Sequence, residues 1–259
     1  MTTLPPSQDL GLFVERVALP PGWRVVYEPV VESTMDLARE AARRGWPDRS
    51  AFVSDYQTAG RGRKGRRWQA PPGLGLLFTV LLRLAGSPLE HTMLASVAVC
   101  EAAGRLLQLE PSIKWPNDLL LDGRKVAGVL AESHSGPNGP YTLVGCGLNV
   151  NQDIEDLRGL GRAATSLKLA AGRQAHRGEL LVICLERLDA WLELDPDARS
   201  ADLRQAWEGR LWARGRSAIV RDAGEEFSAL IQGVAEDGAL VVRLASGEVR
   251  RVLTGEIVV

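Results

Sequence analysis

Nine consecutive residues, Gly60-Arg61-Gly62-Arg63-Lys64-Gly65-Arg66-Arg67-Trp68, hold five fixed positive charges and three glycines. Like charges repel at that density, and each glycine must be held against a large backbone entropy. Such a loop makes sense where an anion neutralises it. Glycines let successive backbone N–H groups turn toward one point, and arginines add paired donors that match phosphate or carboxylate. A solvated basic turn and a nucleic-acid contact are the other readings of the same residues. Gln57 lies three residues upstream, and Trp68 ends the loop, where packing is the ordinary task of a lone tryptophan.

Three further segments carry chemistry. Ser33-Thr34 opens a helix, and a helix start both needs a cap and receives anions or carbonyl oxygens. Lys114-Trp115-Pro116-Asn117-Asp118 reads as a strand entering a turn, because proline holds Trp115 extended and Asn117-Asp118 favours the turn. Asp122-Gly123 is a two-residue hairpin signal that folds Lys125 back beside this segment, so a lysine, an aspartate and an asparagine meet. In Gly145-Cys146-Gly147-Leu148-Asn149-Val150, strand alternation sets Gly145, Gly147 and Asn149 on one face. Two glycines and an amide pack poorly, so another group is expected against that face, with Gly128 of the neighbouring strand beside it. Strict alternation, however, points Lys125 and Gly128 to opposite faces. One pocket holds both only with a bulge or a backbone contact.

The elements that must position these residues follow from periodicity. Residues 1–22, rich in Pro and Gly, read as an extension leading to a strand over 23–27. Ser33-Thr34-Met35-Asp36 fits a capping box, with Asp36 reaching back to a helix that Gly45 and Pro47 end. Strands are expected over 51–56 and 76–84, then a long helix from Ser87-Pro88 to about 109. Strands over 112–115, 119–121, 125–132 and 141–150 come next, and helices over 179–194 and 201–209. Past Trp212 the chain turns to four short alternating strands, over 217–221, 227–234, 239–244 and 248–253, the pattern of a small SH3-like barrel.

Composition removes several classes of function. A formal net charge of −1 makes the basic loop a local device on a neutral body rather than part of a nucleic-acid binder. Cys100, Cys146 and Cys184 sit in apolar surroundings without disulfide or metal-ligand spacing, and His91, His134 and His176 are scattered. No leader pattern and no membrane-spanning run is visible, so the chain reads as cytoplasmic.

Taken together, Glu32-Ser33-Thr34, the run from Gln57 to Arg63, Lys114-Trp115-Pro116-Asn117-Asp118-Leu119, Lys125-Val126-Ala127-Gly128-Val129-Leu130 and the run from Gly145 to Asn151 resemble the biotin–protein ligases. Each motif alone is weak, but all five occur in the family's order. The resemblance implies an α+β fold: a mixed central sheet with helices on it, akin to class II aminoacyl-tRNA synthetases, over 23–211, and an SH3-like barrel over 212–259. It implies that biotin and ATP give biotinyl-5′-AMP and pyrophosphate, and that a carrier lysine then attacks the mixed anhydride. Catalysis would fall to Lys125, Arg63 and Asp118. Biotin would meet Ser33, Thr34, Met35, Gln57, Arg61, Gly62, Arg63, Lys125, Gly128 and Gly147. The nucleotide would meet Arg61, Arg63, Arg66, Lys114, Asn117, Asp118, Lys125 and Asn149. Mg²⁺ would ride mainly on ATP oxygens, with Asp118 either a metal contact or an orienting group for the acceptor lysine. The implied partner is the biotin carboxyl carrier domain of acetyl-CoA carboxylase, and relatives often form homodimers.

Two departures stand out. Met35 takes a place where many relatives carry Asn, and only some thirty residues precede Ser33, too few for the DNA-binding domain of the repressor members, so DNA is not an expected partner. Residues 163–167 resemble the family's adenine-side loop but supply no aromatic ring for the base. Lipoate–protein ligases share the fold and chemistry and are the nearest rival; a non-catalytic nucleic-acid module is a more distant one.

Overall fold

Alternation and helical periodicity resolve into two sheets in the computed structural model, which describes residues 10–84, 86–158 and 163–258. The larger sheet has seven strands in the order β1-β2-β3-β7-β6-β5-β4. These are β1 (Arg24–Val31), β2 (Ser50–Gln57), β3 (Gly75–Leu82), β4 (Ser112–Lys114), β5 (Asp118–Leu121), β6 (Arg124–Gly136) and β7 (Gly139–Asn149). Only β1 and β2 run parallel; the remaining pairs are antiparallel, so the sheet is mixed.

Every residue of β3 is buried because both faces are covered. Leu76, Phe78, Val80 and Leu82 join the main core, with α3 (Pro88–Leu107) and α6 (Arg177–Leu192) packed over that face. Leu81 on the other face joins a smaller core under α2 (Thr34–Arg43), made with Met35, Ala38, Phe52 and Leu143. The site residues lie on this second face, where the side chains become small. Ser87 caps α3 by accepting from the Glu90 amide at 3.1 Å, and Pro88 takes the first helical turn, where its missing N–H costs nothing.

Several expectations need correction. The stretch before β1 contains a short helix, α1 (Leu10–Val14), whose Leu10 is buried in the main core; residues 1–9 lie outside the described residues. Ser33 does cap α2, accepting from the Met35 amide at 3.3 Å, but Asp36 does not close a capping box. Its carboxylate pairs with Arg39 and Arg61 instead, because a full guanidinium charge outcompetes a backbone N–H. Short helices α4 (Ile154–Leu157) and α5 (Leu167–Ala171) follow β7, and α7 (Pro196–Glu208) begins earlier than its apolar pattern suggests because Asp195 caps it.

The C-terminal sheet has five strands rather than four: β8 (Ser217–Asp222), β9 (Glu225–Val234), β10 (Leu240–Arg243), β11 (Val249–Val252) and β12 (Gly255–Val258), in the order β11-β10-β9-β8-β12. The unexpected strand, β12, reaches the larger unit, as do β9 and the turn after it. Ile257 N–H donates to Trp115 O at 3.4 Å, and buried Trp115 returns its indole N–H to Gly238 O at 3.0 Å. All three cysteines are free and buried; burial pushes the Cys100 and Cys146 thiols up to about 12.

Candidate active site

Glycines form the floor. A Cβ placed on Gly147 would lie 2.5 Å from Trp68 Cε2, and one on Gly128 would lie 3.3 Å from Trp68 Cζ3. On Gly145 it would meet the Met35 Cγ and Sδ atoms at 3.1 Å. The groups expected against the poorly packing face are therefore an indole and a thioether. Trp68 does more than tie down the end of its loop. Its ring covers the floor, and its Nε1 is buried without a hydrogen-bond partner.

The conflict over Lys125 is settled by a bulge. Leu119 pairs with Ala127 but Leu120 pairs with Lys125, so Val126 is the extra residue. Val126 and Ala127 both turn into the core, which lets Lys125 and Gly128 line the same cavity. The Lys125 ammonium bonds Asp118 Oδ1, lies 5.6 Å from the Trp68 ring centre, and would be 3.1 Å from a Cβ on Gly128. Lys114 approaches the other Asp118 oxygen at 3.6 Å. Asn117 donates to Val129 O at 2.9 Å and accepts from Arg63 Nη1 at 3.4 Å.

At the opposite end the groups are neutral and polar. Gln57 Oε1 accepts from the Thr34 amide at 2.8 Å and from the Thr34 hydroxyl at 3.1 Å, and the Thr34 hydroxyl lies 2.8 Å from that of Thr79. Ser33 and Met35 complete this end.

The basic loop folds back on itself as one wall. Gly62 N–H donates to Arg66 O at 2.7 Å and Trp68 N–H to Gly60 O at 3.0 Å, while Lys64 and Gly65 turn the chain with φ of 54° and 72°. These N–H groups serve the loop itself instead of forming an open anion nest. Protein carboxylates neutralise two of its charges. Arg61 pairs with Asp36 at 2.8 Å, and both terminal nitrogens of Arg66 reach Glu256 of β12, at 3.1 and 3.0 Å. Arg63 also donates to Gly255 O at 3.3 Å. Burial lowers the Arg63 pKa, against the raising charges of Glu256 and Asp118. Burial would raise the Glu256 carboxyl, but the Arg66 hydrogen bond and charge, with Lys64 and Arg221, hold it below its ordinary value.

Around some 820 Å³ of space, part of it open to solvent, the structure gathers Ser33, Thr34, Met35, Gln57, Arg61, Gly62, Arg63, Arg66, Lys114, Asn117, Asp118, Lys125, Gly128 and Gly147. Asn149 is the exception. It is buried outside this cavity, donating to Thr165 O at 3.0 Å and accepting from Gln152 at 3.4 Å. The segment it holds runs beside Lys125, whose N–H and C=O pair with Ala163 and Thr165. Sequence reasoning missed Thr79, Leu130 and Glu256. A glutamate 190 residues from its arginine leaves no spacing to read, whereas Thr79 was recoverable as a polar residue within an apolar strand.

A pocket with a cationic end, a neutral polar end and an aromatic cover suits a ligand with an anionic tail and a hydrogen-bonding head. Comparison with known proteins gives that ligand class a family. Residues 27–151 match the biotin/lipoate A/B protein ligase family, and residues 215–259 match the biotin protein ligase C-terminal domain. A biotin–[acetyl-CoA-carboxylase] ligase of Paracoccus denitrificans is 34% identical over 76% of this chain and 86% of its own length. The enzyme of that name from Mycobacterium tuberculosis is 31% identical over 76% of this chain and 78% of its own length. The solved biotin protein ligase of Aquifex aeolicus in complex with biotin and ATP superposes with a TM-score of 0.76 at 26% identity, covering 91% of this chain and 97% of that one. The five-motif pattern, the mixed sheet and these likenesses agree: the chain belongs to the biotin–protein ligase family.

Proposed function

We propose that this cavity is where biotin and ATP are joined as biotinyl-5′-AMP with loss of pyrophosphate, and from which biotin passes to a lysine of a biotin carboxyl carrier protein, that of acetyl-CoA carboxylase. The observation that carries the assignment is the bulge at Val126, which sets the Lys125–Asp118 pair at the edge of the glycine floor. Adenylation presses a carboxylate against an α-phosphate, so two anions must be held together. Lys125 stands where it bridges both, and Arg61 and Arg63 supply charge from the loop side. Ser33, Thr34 and Gln57 take the polar head of biotin, with Met35 and the Gly62 backbone as walls. Arg66, Lys114 and Asn117 serve the nucleotide. Asn149 acts through Thr165, fixing the segment against which the nucleoside lies.

Mg²⁺ would be held mainly by the nucleotide's own oxygens and would supply shielding of phosphate charge. Among the described residues no three of His, Cys, Asp or Glu gather as a cage, and both Asp118 oxygens already face lysines. Asp118 serves to hold Lys125 in place, with Lys114 on its other oxygen. The same reading divides the chain into an extension (1–22), a catalytic unit (23–211) and an SH3-like unit (212–259). It sets the enzyme in the cytoplasm, where self-association through the central sheet is open to it. Among the described residues no helix is long and apolar enough to cross a membrane.

Incubation with biotin, ATP and a carrier domain tests the assignment. The carrier is expected to gain the mass of one biotinyl group on a single lysine, only when ATP is present. An unmodified carrier beside active adenylation would refute the partner.

A further inference from the structure

Beside the cavity runs a second, more open groove. The two share Arg66, Arg67, Lys114, Lys125, Asp118 and Glu256 as walls. Of the charged side chains lining the groove, one does not line the cavity: Arg221, on β8 of the C-terminal sheet. Arg221 Nη1 donates to Glu256 Oε1 at 3.0 Å, and the same oxygen accepts from Arg66 Nη2 at 3.0 Å. One carboxylate thus couples an arginine of the loop to an arginine of the small sheet across the groove. Five cations and two carboxylates, Asp118 and Glu256, line the groove, so positive charge is in excess there even with Glu226 paired to Arg221 from outside it.

That excess has a use in the reaction proposed above, on which this inference rests. As a carboxylate oxygen bonds the α-phosphorus, the bond from that phosphorus to the bridging oxygen breaks. The electron pair leaves with the bridging oxygen, on pyrophosphate. The leaving group departs on the side away from the nucleophile, and it needs cations outside the cavity that must stay closed over the acyl-adenylate. We propose that Arg221 binds the β- and γ-phosphates of ATP, and then the departing pyrophosphate, in this groove. The C-terminal sheet thereby supplies a leaving-group contact to the adenylation site.

Arg221 also pairs with Glu226, at 2.8 and 2.5 Å, so a purely structural role must be separated. Biotin-dependent ATP–pyrophosphate exchange is to be measured for the wild type, Arg221→Gln, Arg221→Lys and Glu226→Gln. Losing one charge-assisted contact predicts that Arg221→Gln raises the KM for pyrophosphate about tenfold or more. The KM for ATP should rise with it and the KM for biotin should not. Transfer from isolated biotinyl-5′-AMP to a carrier domain should be unchanged, and Arg221→Lys should recover part of the loss. Glu226→Gln removes the surface pair alone and should leave the pyrophosphate KM as it was. An unchanged pyrophosphate KM in Arg221→Gln, an equal loss in the transfer step, or the same KM rise in Glu226→Gln overturns the proposal. A wild type without exchange contradicts the adenylation reading itself.

Discussion

A methyl group is enough to disturb the floor of this site. Gly147→Ala would put a carbon 2.5 Å from the Trp68 ring, far inside van der Waals contact, so the indole must move or the strand must bend. The expected outcome is a KM for biotin raised about tenfold, since a displaced methylene-sized contact in a tight pocket costs roughly 1–3 kcal/mol; titration calorimetry giving the wild-type affinity would show that the floor is not a binding surface. Most site residues were legible at this scale because their types are costly elsewhere: paired glycines in a strand, clustered arginines, a lysine forced beside an aspartate. The exceptions are instructive. Asp36 looked like a capping partner because local spacing permits it, but a guanidinium from a loop 25 residues on claims its carboxylate. Glu256 had no readable partner, because its arginines come from two different sheets' worth of chain and meet only after folding.

The basic loop is held at its two ends by different elements: α2 through Asp36, and β12 through Glu256 and Gly255. We expect amide exchange over 60–68 to slow when biotinyl-5′-AMP binds, because the adenylate adds anionic contacts that the empty site lacks; equal protection with and without it would count against closure. Glu256→Gln should speed exchange in the empty protein, having removed the charge that pairs Arg66. Acid should mimic the substitution. The folded-state pKa of Glu256 is depressed, so its contribution is present above the ordinary value of about 4.3 and fades as pH falls through the lower folded value. Loop protection that holds unchanged well below pH 4 would contradict this. At the scale of elements, the sequence reading found the hairpin and required a bulge or a backbone contact near Lys125, yet the bulged residue, Val126, emerged only from the β5–β6 register. It missed α1 and β12 for a common reason: each is short, and each is fixed by the surface it packs on rather than by its own periodicity.

The molecule as a whole is more coupled than its two-part sequence pattern suggests. A composition change near Trp212 marks the small sheet as a separate unit, and its strand pattern supports that. What sequence could not reveal is that this unit forms part of the site wall. Trp115, inside the Lys-Trp-Pro-Asn-Asp motif, is buried and bonded to Gly238, so a residue that reads as local punctuation is a junction between sheets. Trp115→Ala should cost about 3–5 kcal/mol of unfolding free energy in a denaturant titration; a loss below 1 kcal/mol would mean the junction is slack. The central claim, that this junction and the loop enclose a biotin-adenylating centre built around Lys125, meets its most direct test in ATP–pyrophosphate exchange. Exchange should depend on biotin and not on lipoate, and Lys125→Ala should reduce it by about 10² to 10³ through loss of transition-state charge stabilisation. Exchange driven by lipoate, or exchange undiminished in Lys125→Ala, would contradict the account.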